Sequence, residues 1–261
     1  MPYVDCTTSL SLEHAALTES LEKEQIELAD GRLLDFRRVA TGVHGPYARL
    51  WESSVVMARF LSFTEEINDR HFALELGCGF GAPSIAMEGK VDKVVATDLP
   101  EAESSCRAKT WRPLDWAAPD LAWIPDGSVD LLVASDAVYN VQGAQLFLDL
   151  LRQLRPKLCA NVCMFMTHKH RHDDVDELLV DGLVAAGWDG EELPVDEWPE
   201  MEGYVHPAID FTSSTREDLF GIVHHMEGIQ RAASAIPVYS QEHRQLESKG
   251  CHAAGLLDSG R

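Results

Sequence analysis

Three short stretches of this chain combine residue types and spacings that suit chemistry. The first is Glu75-Leu76-Gly77-Cys78-Gly79-Phe80-Gly81, answered further on by Asp98. Glycine at alternate positions lets a turn take φ > 0 and lets the backbone come close to a ligand. An acid roughly twenty residues after the first glycine can accept hydrogen bonds from both hydroxyls of a ribose. The second stretch is Asp136-Ala137-Val138-Tyr139, a carboxylate and a phenol three residues apart. The third is His168-Lys169-His170-Arg171-His172-Asp173-Asp174. Its histidines alternate before an acid, and both are zinc-ligand types. The order departs from His-x-His-x-Asp-His, because the fifth position is His172. The run also falls directly before a helical pattern that Asp173 and Asp174 would open favourably. We therefore assign no metal ligand.

The elements that must position these groups follow from the apolar pattern. Phe72 to Leu76 is a short apolar run of buried-strand length, Pro83 stands near the start of a short helix, and Val94 to Thr97 is a second buried run ending on Asp98. Strand, glycine turn, helix, strand and acid make a βαβ unit for a nucleotide-like cofactor. Val129 to Ser135 is nearly all apolar, as an inner parallel strand should be, and it delivers Asp136. In open α/β sheets ligands sit at the carboxyl ends of strands, so Asp136 and Tyr139 belong on the cofactor edge. Capping of the next helix is the other role open to Asp136.

Further along, the spacing predicts a helix over 142–154, a strand over 162–167, a helix over 175–186, and strands over 188–193 and 219–225. Upstream it predicts a helix from Ser11 to Asp30, with Leu17, Leu21 and Leu28 on one side, and a short strand from Leu33 to Val39. A second helix follows Trp51, with Ser53 as its expected cap. Trp51 is either a lid over a cofactor or a core anchor for that helix. Leu114-Asp115-Trp116 is either the edge of an adenine pocket, with Asp115 accepting from the amine and Trp116 as an apolar wall, or a surface turn. Strands alternating with helices give a doubly wound α/β sheet. The expected division is an extension over 1–40, a cofactor-binding domain over 41–227 and a weakly ordered polar tail over 228–261.

Composition narrows the class. A chain of 261 residues, 45% hydrophobic, can bury one sizeable core. No apolar run approaches the roughly 20 residues of a membrane span. The start of the chain has neither a basic patch nor a long apolar stretch, so a secretory signal is not expected. Its six cysteines lack C-x-x-C spacing and read as reduced thiols, in the cytoplasm or the nucleus. With 22 Lys+Arg against 43 Asp+Glu and a net charge of −21, a nucleic-acid partner is not expected, whereas a lysine-bearing protein would be attracted.

Gly77-x-Gly79-x-x-Ala82 also satisfies the loose dinucleotide pattern, so the glycines alone leave NAD open. The acid two residues before the first glycine makes Glu75-x-Gly77-x-Gly79-x-Gly81 resemble the first motif of S-adenosylmethionine (SAM)-dependent methyltransferases. Taken in order, Trp51 with its helix, ELGCGFG, ATDLP, LDW and SDAVY resemble the seven-β-strand protein-lysine methyltransferases that carry a D-x-x-Y signature. The likeness spans about Gly42 to His225. It implies the Rossmann-like seven-stranded sheet of class I methyltransferases, SAM as cofactor, and a monomer acting on an accessible lysine of a protein substrate.

The same resemblance implies that Trp51, Glu75, Gly77, Gly79, Asp98, Asp115, Trp116 and Ser135 bind the cofactor. Asp136 and Tyr139 would then be catalytic, with Arg171 where family members often carry an arginine. Asp136 would orient the amine and stabilise the charge growing on nitrogen, and Tyr139 would offer a π face and a hydroxyl. Pro100 to Arg112 is shorter than the family pattern, so the third strand is either vestigial or lost with a missing segment. Two alternatives stay open on function: a SAM-dependent enzyme for another acceptor class, nucleic acid or small molecule, and a catalytically weak adaptor.

Overall fold

Gln25 and Glu27 are exposed while Ile26 and Leu28 are buried, so the side chains alternate with the period of a strand where leucine spacing suggested a helix. The computed structural model describes residues 23–37, 46–194 and 219–226. Within them, β1 (Lys23–Glu27) pairs antiparallel with β2 (Leu33–Arg37). The helix expected over Ser11–Asp30 is thereby corrected across 23–27, and its earlier part lies outside the described residues. The i, i+4 leucines misled because the hairpin buries only Ile26, Leu28 and Phe36 against the domain core.

The remaining order is α1 (Glu52–Phe63), β3 (Phe72–Leu76), α2 (Ala82–Met87), β4 (Lys93–Asp98), β5 (Trp111–Pro113), β6 (Val129–Ser135) and α3 (Val141–Leu154). After these come β7 (Leu158–Lys169), α4 (Asp173–Ala185), β8 (Trp188–Pro194) and β9 (Leu219–Met226). Seven strands form one sheet in the order β5-β4-β3-β6-β7-β9-β8. Strands β3 to β7 run parallel, and β9 is antiparallel to both neighbours. From β3 the chain moves outward to β4 and β5, then returns to place β6 on the other side of β3. That reversal opens a crevice at the carboxyl ends of β3 and β6. The expected doubly wound sheet is present. Its third strand is vestigial: β5 has three residues, preceded only by a 3-10 turn at Pro100–Ala102.

Two apolar layers sandwich the sheet. Phe72, Leu74 and Leu76 of β3 pack with Phe147, Leu150 and Leu179 from α3 and α4. Ala73, from the opposite face, joins Val55, Met57 and Leu61 of α1 and Ala86 of α2. Register is set by a buried carboxylate, since Asp130 accepts from the N–H groups of His71 (2.8 Å) and Phe72 (2.9 Å). This fastens the start of β3 to β6 and brings their far ends to one edge.

Helix caps revise two expectations. Ser53 lies inside α1, fully buried; Trp51 is the capping position and offers no side-chain bond there. The Ser53 carbonyl instead accepts from Thr167 Oγ1 at 3.0 Å, tying α1 to β7. Asn140 caps α3 by accepting from the Gly143 N–H at 2.7 Å, which frees Asp136 from that duty. Helix α4 opens on Asp173, Asp174 and Asp176, favourable charges at a helix N-terminus. Among the described residues no helix is long and apolar enough to cross a membrane. The polar tail expected over 228–261 lies outside them.

Candidate active site

The glycine turn leaves β3 and doubles back against β4. The N–H groups of Gly77 and Cys78 both donate to the Thr97 carbonyl at 2.9 Å, and Thr97 Oγ1 donates to the Glu75 carbonyl at 2.6 Å. Asp98, at the end of β4, accepts from the N–H of Gly79 (2.8 Å) and of Leu99 (2.7 Å). Burial pushes its carboxyl above the usual range, against the two N–H donors. Gly77 sits at φ +75, and a Cβ there would lie 2.8 Å from the Cβ of Ala137. Any side chain would be strained and would collide with the turn that follows β6.

Glu75 is placed differently from the expectation. It is fully buried behind the turn and does not border the cavity; its carboxylate accepts from the N–H of Ser84 (3.0 Å) and, in a very short contact, from the Ser84 hydroxyl. One carboxylate oxygen has no partner. Burial raises its pKa to about 8, so at neutral pH it holds its proton. Glu75 joins the turn to the first turn of α2.

A cavity of about 490 Å³ runs along the carboxyl ends of the strands. Gly77, Gly79, Asp98, Asp115, Trp116, Ser135, Asp136, Tyr139 and Trp51 all border it, so every residue expected to bind the cofactor or to be catalytic, except Glu75, comes together in one place. Short β5 suffices because Leu114 donates its N–H to the Asp98 carbonyl at 2.7 Å, which carries Asp115 and Trp116 beside Asp98. Trp116 rests on Phe147 with ring centroids 5.4 Å apart, giving the cavity a flat apolar wall. Trp51 is half-buried, and its indole N–H donates to the Pro46 carbonyl at 2.9 Å. It borders the cavity and is not a core anchor.

At the other end stands Asp136, the only described non-glycine residue with positive φ, at 52°. Aspartate tolerates this conformation better than most residues. Its N–H donates to the Thr167 carbonyl at 2.8 Å, and its side chain is 3% exposed. Arg171 grips that carboxylate with both terminal nitrogens, each at 2.6 Å. This bidentate pairing raises the pKa of Arg171 further. The alternating histidines hold the turn that carries it. His168 Nε2 meets one oxygen of Asp176 at 2.7 Å, and His170 Nδ1 makes a very short contact with the other. Tyr139 is half exposed at the rim.

Two residues escaped the sequence reading as members of the site. Tyr47 lies in the loop before α1, its carbonyl 3.4 Å from where a Cβ on Gly79 would be. Arg49 stacks over Trp51, 3.9 Å from the ring centroid, and borders the cavity. Its Nε is buried without a hydrogen-bond partner, and among the described residues its guanidinium has no acidic partner. No local pattern marks either residue; the packing of the pre-α1 segment across the glycine turn brings them in.

The cradle fits a nucleoside cofactor with an amino-acid arm. Side chains are excluded at Gly77, a strand-end carboxylate stands where a ribose would hydrogen-bond, an aromatic wall flanks it, and at the opposite flank is the Arg49 guanidinium, whose buried Nε has no hydrogen-bond partner among the described residues.

The chain is similar to several known proteins. A family model described as lysine methyltransferase matches residues 39–180. A Xenopus laevis protein named electron transfer flavoprotein beta subunit lysine methyltransferase is 32% identical over 162 residues, 57% of this chain and 65% of that protein. The match therefore spans just under two thirds of the relative's length. Among solved structures, a SAM-dependent methyltransferase from Archaeoglobus fulgidus aligns with TM-score 0.47 at 14% identity, covering 66% of this chain and 94% of the other. A TehB-like SAM-dependent methyltransferase from Corynebacterium glutamicum aligns with TM-score 0.43 at 16% identity, covering 66% and 88%.

Proposed function

The chain belongs to the lysine methyltransferase family, and from that premise we propose that it transfers a methyl group from SAM to the side-chain amine of a lysine in a protein substrate. The observation that carries this is the single cavity joining the glycine turn and Asp98 at one end to Asp136 and Tyr139 at the other. When bound, the cofactor supplies a methyl group on a positively charged sulfur.

The chain's own residues do the rest. Asp98 accepts from the ribose hydroxyls, and Asp115 and Trp116 border the adenine. The Gly77 and Gly79 backbone lies along the amino-acid arm, Trp51 and Ser135 close the cavity around it, and Arg49 pairs with its carboxylate. Asp136 aims the lysine amine. A carboxylate has about four acceptor sites, so the grip of Arg171 leaves room for one more donor. Free lysine titrates near 10.4 and a neighbouring carboxylate favours the charged form, so the ammonium proton is lost to solvent water, not to Asp136, before the neutral amine attacks. As the nitrogen–methyl bond forms and the sulfur–methyl bond breaks, positive charge moves onto nitrogen, where Asp136 and the ring of Tyr139 stabilise it.

On the same reading the enzyme is a monomer in a reducing compartment, cytoplasm or nucleus. Its four described cysteines are free thiols and its net charge is −21, which suits a lysine-bearing protein and not nucleic acid. Incubation with labelled SAM and cell lysate, followed by acid hydrolysis and amino-acid analysis, should yield labelled methyl-lysine. The first purified acceptor to try is the electron transfer flavoprotein beta subunit, named in the Xenopus relative. Label found only in nucleic acid or small molecules would refute the assignment.

A further inference from the structure

Two cysteines face each other at the glycine turn, and neither has a part in the methyl transfer just described. Cys78 lies within the turn and is almost fully buried, while Cys106 lies on the half-buried segment after the 3-10 turn that follows β4. Their sulfurs are 3.8 Å apart, with Cys78 donating to Cys106. The two segments are in direct contact, since the Arg107 N–H donates to the Phe80 carbonyl at 3.0 Å. Cys106 Sγ lies 2.9 Å from where a Cβ on Gly81 would be, so it occupies the space beside the turn that a side chain at Gly81 would fill.

We propose that Cys78 and Cys106 are a paired oxidation site, closed to a disulfide by a hydroperoxide, and that this bond distorts the cofactor turn. The second half of the proposal rests on the SAM reading above. The polarity of the pair suits the chemistry. The Cys78 S–H bond lowers the pKa of Cys106, and the same interaction, with burial, raises Cys78. Cys106 is the more accessible sulfur and the one more readily deprotonated, so as its thiolate it attacks the peroxide oxygen, giving a sulfenic acid and, with a proton taken up, water. Cys78 then attacks that sulfur as its own proton leaves with the departing hydroxyl, giving the disulfide and a second water. Overall, two thiols and one hydrogen peroxide become one disulfide and two waters, and a dithiol reductant reverses it.

Bond formation must bring the sulfurs about 1.7 Å closer, to a bonded separation of about 2.05 Å. Closing that gap pulls on the turn that carries Cys78, whose next residue, Gly79, donates to Asp98. Shifting that N–H disturbs the carboxylate that would hold the ribose. By reciprocity, a bound cofactor that holds the turn in place slows closure of the disulfide.

The test uses the full reduced chain, hydrogen peroxide as oxidant and dithiothreitol as reductant. Trypsin would place Cys78 in the peptide His71–Lys90 and Cys106 in Val94–Arg107, each with no other cysteine. Expected are a peroxide-dependent cross-link of these two peptides that the reductant removes, and calorimetric SAM binding that is lost and restored in parallel. Saturating SAM should slow the cross-link, and Cys106→Ser should bind SAM like the reduced protein and keep doing so after peroxide. Absence of the cross-link overturns the paired site. A cross-linked protein that binds SAM unchanged, or a Cys106→Ser protein that still loses binding to peroxide, overturns its effect on the turn. A chain that cross-links but never binds SAM when reduced upholds the thiol pair and overturns the cofactor reading.

Discussion

At the β3–β4 end of the cavity the facing groups are the Gly77–Gly79 turn and Asp98, from one βαβ unit, with Asp115 and Trp116 just after β5. At the β6–β7 end they are side chains from three separate places: Asp136 and Tyr139 after β6, Arg171 after β7, and Arg49 with Trp51 before α1. The first end is rigid by local constraint, because Gly77 at φ +75 and the paired bonds to the Thr97 carbonyl leave the turn one shape. The second depends on tertiary packing. Asp136 is in place because Arg171 grips it and Thr167 accepts its N–H, and both partners are more than thirty residues away. Binding and chemistry should therefore come apart under mutation, one failing at each end.

The sharpest way to break that contrast is to compare Asp98→Ala with Asp136→Asn. Asp98→Ala removes the acceptor for the ribose and leaves the Gly79 and Leu99 N–H groups unpaired, so calorimetry should show SAM binding weakened roughly 100-fold. Asp136→Asn keeps a side chain that tolerates the left-handed backbone, and should keep SAM affinity within about twofold while methyl transfer falls roughly 100-fold. Equal losses of binding in both variants would mean that the two ends are not separate in function.

Arg171 refines the comparison. Arg171→Ala should lower the transfer rate about tenfold with SAM binding retained, because the carboxylate stays but is no longer aimed. Arg171→Lys should not restore it, since an ammonium cannot make the two-point contact. In a double-mutant cycle Asp136→Asn and Arg171→Ala should be coupled by about 1–3 kcal/mol of transition-state stabilisation. Additive losses would show that the ion pair has no part in the reaction.

A smaller effect belongs to Glu75, behind the binding end. Its pKa is about 8 in the folded chain against an ordinary 4.5, because burial disfavours the charge. Between those values the folded chain keeps a proton that the unfolded chain has lost. The stability it contributes is therefore complete below pH 4.5 and disappears as pH rises to about 8. Glu75→Gln, which cannot ionise, should flatten the fall of Tm across this window by a few degrees, read by calorimetric scans. An unchanged slope would mean that Glu75 is charged in the fold.

The smallest expected effect is at the histidine run. His172 only marks the start of α4 and makes no side-chain cap. His172→Ala and prior dialysis against a chelator should leave the labelling rate unchanged. A chelator-sensitive rate would reopen the metal reading of that stretch.

What could be read from the sequence alone was whatever depends on neighbours in the chain. The βαβ unit, the glycine turn, Asp98 and the apolar run delivering Asp136 are legible because buried-strand patterns and positive-φ turns leave their mark on consecutive residues. The hairpin was misread because a few leucines at helical spacing compete with a short alternating pattern, and only docking against α1 and α2 decides which face is buried. Glu75 belongs to the cofactor by the family resemblance, but its side chain turns to the α2 side of the sheet, and its pairing with Ser84 is set by where α2 packs. Arg49 and Tyr47 carry no sequence signal at all. The charge balance within the cavity, with Arg171 neutralised by Asp136 and Arg49 left without an acid among the described residues, was decided by tertiary structure, because pairing of charges depends on distances in space that the spacing along the chain does not encode.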